Sequence, residues 1–343
     1  MSASANRLTC VLLHRFNMMT LTTVLEPLRI ANYLSPAKLY DWEYRSVTKG
    51  GITASNGLTI ECLGLDEPSP DPFDMVAVFG SWGAERYDNP ALSRWLRRKA
   101  RAGATLIAVE LGVYALARAG LLDGYRATTH WSCLAGFAEQ FPEVNVCEQL
   151  FTIDRKVMTC AGGTAGLDLF LTIVGRQHGE QLAAEVSNQI LHHPRRPADG
   201  AQRHAPGAKD EHIHPVVRAA MRHMEERIEE PLSVPDLCHA IGVSQRQLER
   251  LFRRHTGCTV SQFSKIIRLQ YARVLLTSTR MSIREVSAAC GFNSMSYFSQ
   301  CFTRTFGKKP SENRSSWPDD QPAPQWPGTV YSFTQALAST AKR

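Results

Sequence analysis

Apolar and polar positions follow two different periods along the chain, and the change of period divides it into two parts. In the first part, short apolar runs at residues 8–13, 75–79 and 106–109 have the length and composition of buried strands. Stretches with helical spacing, such as residues 21–34 and 89–102, separate them. Apolar strands that alternate with helices predict an α/β domain with a mainly parallel sheet, over residues 7–193.

The second part, residues 213–314, has helical spacing almost throughout and contains an internal repeat. The segments 232–257 and 281–307 each hold a short apolar helix that ends at a glycine, Gly242 or Gly291, followed by a second helix. This layout predicts an all-α domain with two helix-turn-helix motifs. Three helix starts carry the pattern of a capping box: Ser233 with Asp236, Ser244 with Gln247, and Ser282 with Glu285.

The two parts are joined by a segment with no apolar periodicity. Residues 194–212 are rich in proline, glycine and charge, which is typical of a linker. After residue 314 the chain becomes rich in proline again, and we expect residues 315–343 to form a disordered tail.

Composition excludes several classes of protein. No apolar run reaches the roughly 18 residues of a membrane-spanning helix, and the first residues lack the layout of a signal peptide, so we expect a cytoplasmic protein. The nine cysteines form no CxxC pair and the eleven histidines no HExxH pair. We therefore expect reduced cysteines, no metal site and no cofactor.

Positive charge is concentrated in the second part. Residues 210–316 contain 16 Lys and Arg against 10 Asp and Glu, which accounts for six of the seven net positive charges. A basic domain next to a neutral one suggests a module that binds a polyanion, although a merely solvated basic surface has the same composition.

The second helix of each motif presents side chains suited to DNA. Arginine recognises guanine edges or phosphates, and glutamine recognises adenine. The helix over residues 261–277 would hold the two recognition helices apart, and a separation of about 34 Å would place them in successive major grooves. The candidate DNA contacts are Ser244, Gln245, Arg246, Gln247, Glu249, Arg250, Arg253, Ser294, Ser296, Tyr297, Ser299, Gln300, Arg304, Lys308 and Lys309.

Residues 215–314 resemble the AraC/XylS-type DNA-binding domain. The resemblance is carried by Ile283, Glu285, Val286, the run 290–294, Tyr297, Phe298, Ser299, Phe302, Phe306, Gly307 and Pro310. It implies two helix-turn-helix motifs that bind a promoter half-site. Cys238 and Ser287 depart from the pattern, because alanine is usual at both positions. A helical repeat or a protein-docking bundle remains the alternative.

Residues 7–190 resemble the PfpI-like branch of the class I glutamine amidotransferase-like fold, which is flavodoxin-like. The order of domains is similar to that of the GlxA-type regulators. The residues that carry the resemblance are the runs 25–29, 116–117, 119–124, 127–131 and 159–163, with Ala31, Asn32, Gly112, Ala165, Gly166, Asp168 and Leu169.

The resemblance also bears on the candidate site. Enzymes of this fold carry a nucleophilic cysteine on the sharp turn after a central strand, where this chain has Glu110, so we expect no catalytic residue and no enzyme. Glu26 matches the acid that neighbours the cysteine. The two carboxylates would share a proton or face a cation, or Glu110 would only cap a helix.

Ligands of open α/β sheets bind at the carboxyl ends of the strands. We therefore expect a pocket formed by residues 14–17, 80–82, 110–111, 130–131 and 161–163, in which Trp82, Trp131 and Glu110 surround a cationic amine. Either tryptophan could instead belong to the core or to a dimer interface. The candidate ligand-binding residues are Glu26, Trp82, Glu110, Leu111, His130 and Trp131.

Together these features predict a one-component transcription regulator that acts as an activator. The resemblance implies a small nitrogenous effector, such as arginine, glycine betaine or carnitine. Its expected partners are promoter DNA, RNA polymerase and a second copy of the chain, with no membrane. Two alternatives remain: an amidase-, peptidase- or hydratase-like enzyme that also binds DNA, and an interaction module without a ligand.

Overall fold

The computed structural model describes residues 5–68, 75–202, 214–279 and 281–313. The chain divides into two units, residues 1–202 and 203–343. The predicted tail and residues 203–212 of the predicted linker lie outside the described residues. Within the described ranges, no helix is long and apolar enough to cross a membrane.

The first unit is built on an eight-stranded sheet. The described part of this unit contains ten strands, eight of which form the sheet. In chain order they are β1 (Asn6–Leu12), β2 (Tyr40–Ser46), β3 (Gly50–Thr53), β4 (Thr59–Gly64), β5 (Met75–Gly80), β6 (Thr105–Glu110), β7 (Arg126–Ala127), β8 (Asn145–Val146), β9 (Phe151–Asp154) and β10 (Val157–Cys160). The sheet order is β3-β4-β2-β1-β5-β6-β10-β9, and β7 pairs separately with β8. Only the outer pairs, β3 with β4 and β9 with β10, are antiparallel. The predicted, mainly parallel flavodoxin-like fold is confirmed.

Helices cover both faces of this sheet. They are α1 (Met18–Leu34), α2 (Pro90–Arg101), α3 (Val113–Arg118), α4 (Leu134–Gln140), α5 (Ala165–His178) and α6 (Glu180–Gln189). Successive residues of β1 point to opposite faces, so that Cys10 packs in a core with α1, α5 and α6, and Val11 packs in a core with α2 and α3. A continuous apolar strand is therefore required at β1, as its sequence indicated.

Residues 194–202, predicted as part of a linker, pack against the α/β unit instead. The Leu150 amide donates to the Ala198 carbonyl (3.0 Å), and the Arg196 guanidinium binds the Asp168 carboxylate (2.6 Å). Composition indicated a linker here because the segment is held by polar contacts rather than by an apolar stripe.

The second unit is helical. Its helices are α7 (Pro215–Glu226), α8 (Val234–Ile241), α9 (Gln245–Thr256), α10 (Val260–Ser278), α11 (Ile283–Ala289), α12 (Met295–Phe306) and α13 (Pro310–Asn313). The pairs α8–α9 and α11–α12 form the two predicted helix-turn-helix motifs. Their turn glycines, Gly242 and Gly291, both have φ of 69°, a backbone conformation that favours glycine. A Cβ on Gly291 would also lie 2.7 Å from Cδ of Pro231.

Each motif has its own apolar core, and α10 contributes to both. Phe263, in the first half of α10, packs with α7–α9, whereas Leu269 and Leu276, in its second half, pack with α11 and α12. The guanidinium of Arg268 donates to the carbonyl of Gly291 (2.8 Å) and lies over the ring of Phe292. The connecting helix is therefore bonded directly to the turn of the second motif.

Of the three predicted capping boxes, one is complete. At α11 the Ser282 side chain accepts from the Glu285 amide, and the Glu285 carboxylate accepts from the Ser282 amide. The prediction is wrong for the second half of the other two. The Ser233 hydroxyl donates to the carboxylate of Asp236, which is one methylene too short to reach back well, and Ser244 accepts only from the Gln247 amide.

Candidate functional site

A tight strand-to-helix turn places Glu110 at the carboxyl end of β6. Glu110 has φ of 56°, an uncommon value for a residue other than glycine, and is 6% exposed. The turn also needs glycine two residues later, because a Cβ on Gly112 would lie 2.0 Å from the carbonyl oxygen of Val78. The structure therefore gives Glu110 the constrained turn that the resemblance implied for a nucleophile.

The carboxylate of Glu110 is held by two neutral donors from neighbouring strand ends. The Ser81 hydroxyl, after β5, donates to Oε1 (3.0 Å), and the Asn17 amide, after β1, donates to Oε2 (3.1 Å). Burial raises the pKa of Glu110 to about 7, although both hydrogen bonds act in the opposite direction. Among the described residues, no basic side chain forms an ion pair with Glu110. Within the described ranges, the site thus contains a carboxylate without a compensating cation.

His130 and the two tryptophans belong to segments bonded to this turn. Thr129 donates its hydroxyl to the carbonyl of Glu110 (2.9 Å), which fixes the start of the 130–131 segment. His130 lies with its ring centroid 5.3 Å from that of Trp131, and burial lowers its pKa to about 4, so the imidazole is neutral near pH 7. Trp82 follows Ser81 and is 45% exposed.

Two of the six candidate ligand-binding residues lie elsewhere. Glu26, on α1, is partly exposed and forms a bidentate ion pair with Arg29 (2.7–3.0 Å) instead of a carboxylate pair with Glu110. The side chain of Leu111 is 2% exposed and packs in the core with α2 and α3, and its amide donates to the Gly80 carbonyl. Both expectations are corrected: the charge of Glu26 is already balanced by Arg29 on the same helix, and the side chain of Leu111 faces the core.

Asn17 and Ser81 were not singled out as candidate residues, although both lie in the strand-end segments expected to form the pocket. Their signal is positional, since each is a polar residue within five residues of the end of an apolar strand of one parallel sheet. Asn17 also caps α1 by accepting from the Met19 amide (3.0 Å), and that local role is the one its sequence position indicates.

The cysteines near Glu110 are poor nucleophiles. Burial raises the thiol pKa of both Cys133 and Cys160 to about 12. The thiolate is the reactive form of cysteine, so both side chains are almost fully protonated and unreactive at neutral pH.

The candidate DNA contacts occupy the exposed faces of both helix-turn-helix motifs. On α9, Gln245, Arg246, Arg250 and Arg253 are exposed, while Leu248 and Phe252 of the same helix are buried. Ser244 caps the helix by accepting from the amide of Gln247. Glu249 is half-buried, and its carboxylate accepts from the Val260 amide at the start of α10 (3.4 Å), so it stabilises the motif itself.

The second motif presents a similar face with less charge. Ser296, Gln300 and Arg304 of α12 are exposed, Ser299 is half-buried, and Phe298 and Phe302 are buried. Ser294 caps the helix, and Lys265 from α10 lies with its Nζ 5.3 Å from the ring of Tyr297. Lys308 and Lys309 follow the helix and are exposed.

Comparison with known proteins agrees with both units. Residues 11–176 match the model of the DJ-1/PfpI family, and residues 237–316 match the model of a helix-turn-helix domain. The chain is 40% identical over 318 residues to the HTH-type transcriptional regulator CdhR of Pseudomonas aeruginosa, covering 93% of this chain and 94% of that protein.

A second relative and a solved structure extend the comparison. The HTH-type transcriptional regulator GlxA of Rhizobium meliloti is 32% identical over 313 residues, which cover 91% of this chain and 97% of that protein. A crystal structure of an AraC family transcriptional regulator from Pseudomonas putida has 27% identity and a TM-score of 0.50, and covers 54% of this chain and 98% of its own. This chain therefore belongs to the HTH-type transcriptional regulators of the AraC family in which a DJ-1/PfpI domain precedes the DNA-binding domain.

Proposed function

We propose that this regulator senses a small cationic metabolite, an amino acid or a quaternary amine, at the strand ends around Glu110. The observation that carries the proposal is the buried carboxylate of Glu110, which has two neutral donors and no ion pair among the described residues. A buried carboxylate in this setting takes up a proton or a cation. A ligand ammonium supplies the missing charge.

An organic cation fits the surroundings better than a metal ion. The described residues contain no group of three or more His, Cys, Asp or Glu that could hold a metal. Trp82 directly follows Ser81, and Trp131 comes two residues after Thr129; Ser81 and Thr129 are both hydrogen-bonded to Glu110. Aromatic faces attract ammonium groups.

The occupied domain then controls promoter binding by α9 and α12. The 19 residues of α10 correspond to a helix of about 28 Å, comparable with the roughly 34 Å repeat of DNA. We propose that the protein binds as a homodimer to two half-sites and activates transcription by recruiting RNA polymerase, as its resemblance implies. The candidate DNA contacts Ser244 and Ser294 have the additional role of capping the recognition helices.

The enzyme alternative has little support. Glutamate occupies the position where enzymes of the fold have cysteine, and burial raises the pKa of both nearby thiols. The two relatives compared above, which match more than 90% of this chain, are named as transcriptional regulators.

A thermal-shift screen of the full chain against amino acids, polyamines and quaternary ammonium compounds tests the sensing role. A ligand that binds only the folded protein stabilises it by about 2.7 kcal/mol at 100 times its Kd, which raises the Tm of a domain this size by roughly 5–10 °C. We expect one cationic compound to do so, and Glu110→Gln to abolish the shift. Glu26→Gln serves as the control and should retain it. If no cation shifts the Tm, or if Glu110→Gln retains the shift, the proposal is wrong.

A further inference from the structure

We propose that Gln202 is a positioning residue that connects the turn at Glu110 to the chain segment leading to the DNA-binding unit. Residues 192–202, here called the strap, lie between α6 and that segment. The proposal rests on the proposed function only for its purpose, since the contacts that carry it are independent of any ligand.

The first anchor of the strap is a buried carboxylate. The side chain of Asp168, on α5, is 0% exposed. It accepts from His192 (2.8 Å), from the Arg196 amide (2.8 Å) and from the Arg196 guanidinium (2.6 and 2.9 Å). Arg196 also donates to the Thr164 hydroxyl (2.7 Å). A buried charge-assisted network of this kind fixes the start of the strap firmly.

The second anchor is a hook formed by Gln202. Its amide nitrogen donates to the carbonyls of Thr129 (2.8 Å) and Gln149 (2.8 Å) and to the hydroxyl of Thr128 (3.0 Å). Two carbonyl acceptors at this nitrogen settle the orientation of the amide, because an amide oxygen there would face oxygen. The Oε1 atom of Gln202 is buried without a hydrogen-bond partner among the described residues, which makes the hook less stable than its contacts alone suggest.

The hook is one residue away from the candidate site. Thr129 donates its hydroxyl to the carbonyl of Glu110 and accepts from Gln202 at its own carbonyl. Thr129 is fully buried, so it cannot move without displacing one of these partners. A backbone shift at Glu110 therefore displaces Thr129 and, with it, the amide of Gln202. Gln202 directly precedes the segment that leads to the helical unit.

Hydrogen exchange of the full chain, without ligand or DNA, measures this connection. The amide of Arg196, bonded to Asp168, and the amide of Leu150, bonded to Ala198, become free to exchange when the strap detaches. At pH 8 Glu110 is charged, and Glu110→Gln removes that buried charge. Strap amides that exchange by local opening report its detachment, whereas the general stabilisation by this substitution acts on amides that exchange by global unfolding. We expect the substitution to slow the local exchange of the strap by about fivefold, the lower end of the range for coupled sites.

The decisive comparison is the same substitution in a Gln202→Ala background. Loss of the hook alone should accelerate exchange of the strap, and the effect of Glu110→Gln should then disappear. A purely structural role for Gln202 would leave the effect of Glu110→Gln unchanged, and that result would overturn the proposal.

Two further variants keep the test interpretable if Gln202→Ala detaches the strap completely. Arg196→Ala weakens the first anchor and leaves the hook, so the response to Glu110→Gln should persist; its loss would contradict the role of Gln202. Gln189→Ala, at an exposed position on α6, should change neither quantity. Failure of this experiment leaves the thermal-shift result standing, and failure of the ligand screen leaves this connection standing.

Discussion

Glu110→Gln should remove a large pH dependence from the stability of the α/β unit. Burial raises the pKa of Glu110 from the ordinary 4.5 to about 7 in the folded protein. The folded state therefore binds the proton more tightly than the unfolded chain does. Stability falls as the pH rises from about 4.5 to about 7, and the loss is complete above that range.

The size of the effect follows from the shift. Each pKa unit corresponds to about 1.4 kcal/mol, so the charged form of Glu110 destabilises the fold by about 3 kcal/mol above pH 7. Glutamine has the same shape and no charge. Between pH 5 and pH 8 the free energy of unfolding of the variant should therefore gain about 2.5 kcal/mol on that of the wild type, because the unfolded carboxyl is already partly charged at pH 5. Any fixed cost of placing an amide beside Asn17 cancels in this comparison.

Nearby groups leave the signal interpretable. The pKa of His130 is about 4 in the folded protein and near 6.5 in the unfolded chain, so it adds a pH dependence below about pH 6.5 that is the same in both proteins and cancels in their difference. The thiols of Cys133 and Cys160, with pKa values of about 12, stay protonated in the folded protein. Burial also raises the pKa of Glu85, whose contribution is the same in both proteins.

The assay is urea unfolding followed by tryptophan fluorescence at pH 5, 6, 7 and 8, with Trp95 as a buried reporter in the α/β unit. Glu26→Gln, which removes an exposed carboxylate, should follow the wild-type profile. A difference between Glu110→Gln and wild type that stays constant within 1 kcal/mol would refute the reasoning. It would mean that an unrecognised group stabilises the charge.

Three further results are expected. Arg250→Ala should weaken binding to a DNA site selected with the wild-type protein by about 5- to 100-fold, the cost of one base or phosphate contact, as measured by fluorescence anisotropy. Arg222→Ala on α7 should not weaken binding, and equal effects of the two substitutions would refute the assignment of the recognition face. Gly291→Ala should destabilise the helical unit by about 2 kcal/mol or more in thermal unfolding, because strain at positive φ adds to the clash with Pro231. Gly307→Ala, at a similar φ but with open space around the new Cβ, should cost about 1 kcal/mol, and equal losses of stability would contradict the close approach at Gly291. Cys133 should react with iodoacetamide at pH 8 on the order of a thousandfold more slowly in the native protein than in the unfolded chain, and rapid native labelling would reopen the enzyme alternative.

The parts of the fold that could be predicted from the sequence are those with a strong local pattern. The strands β1, β5 and β6 are apolar on both faces, and the helix-turn-helix motifs combine caps, turn glycines and an apolar stripe. The strands β2, β3 and β4 were not predicted, because they lie towards one edge of the sheet and are largely half-buried. The sequence of β2 carries aromatic and charged residues in place of an apolar run.

The candidate site shows the same division. Glu110 could be located because the turn has a recognisable order of residues. Its hydrogen-bond donors could not, since Asn17 and Ser81 are separated from it by 93 and 29 residues and meet it only through the strand order β1-β5-β6. The contacts of the strap could not be predicted for a related reason, because Asp168 lies inside an apolar helix and its partners are 24 and 28 residues away.

The close approach of Gly291 to Pro231 has a consequence for the operator. The turn of the second motif is pressed against the loop before the first, and α10 fixes their distance, so the angle between the recognition helices is set by the protein. One extra base pair between the two contact regions moves the second by about 3.4 Å and rotates it by roughly 35° around the DNA axis. Two recognition helices at a fixed angle cannot follow that rotation. Binding should therefore tolerate base changes in the spacer of the operator but not a change in the length of the spacer.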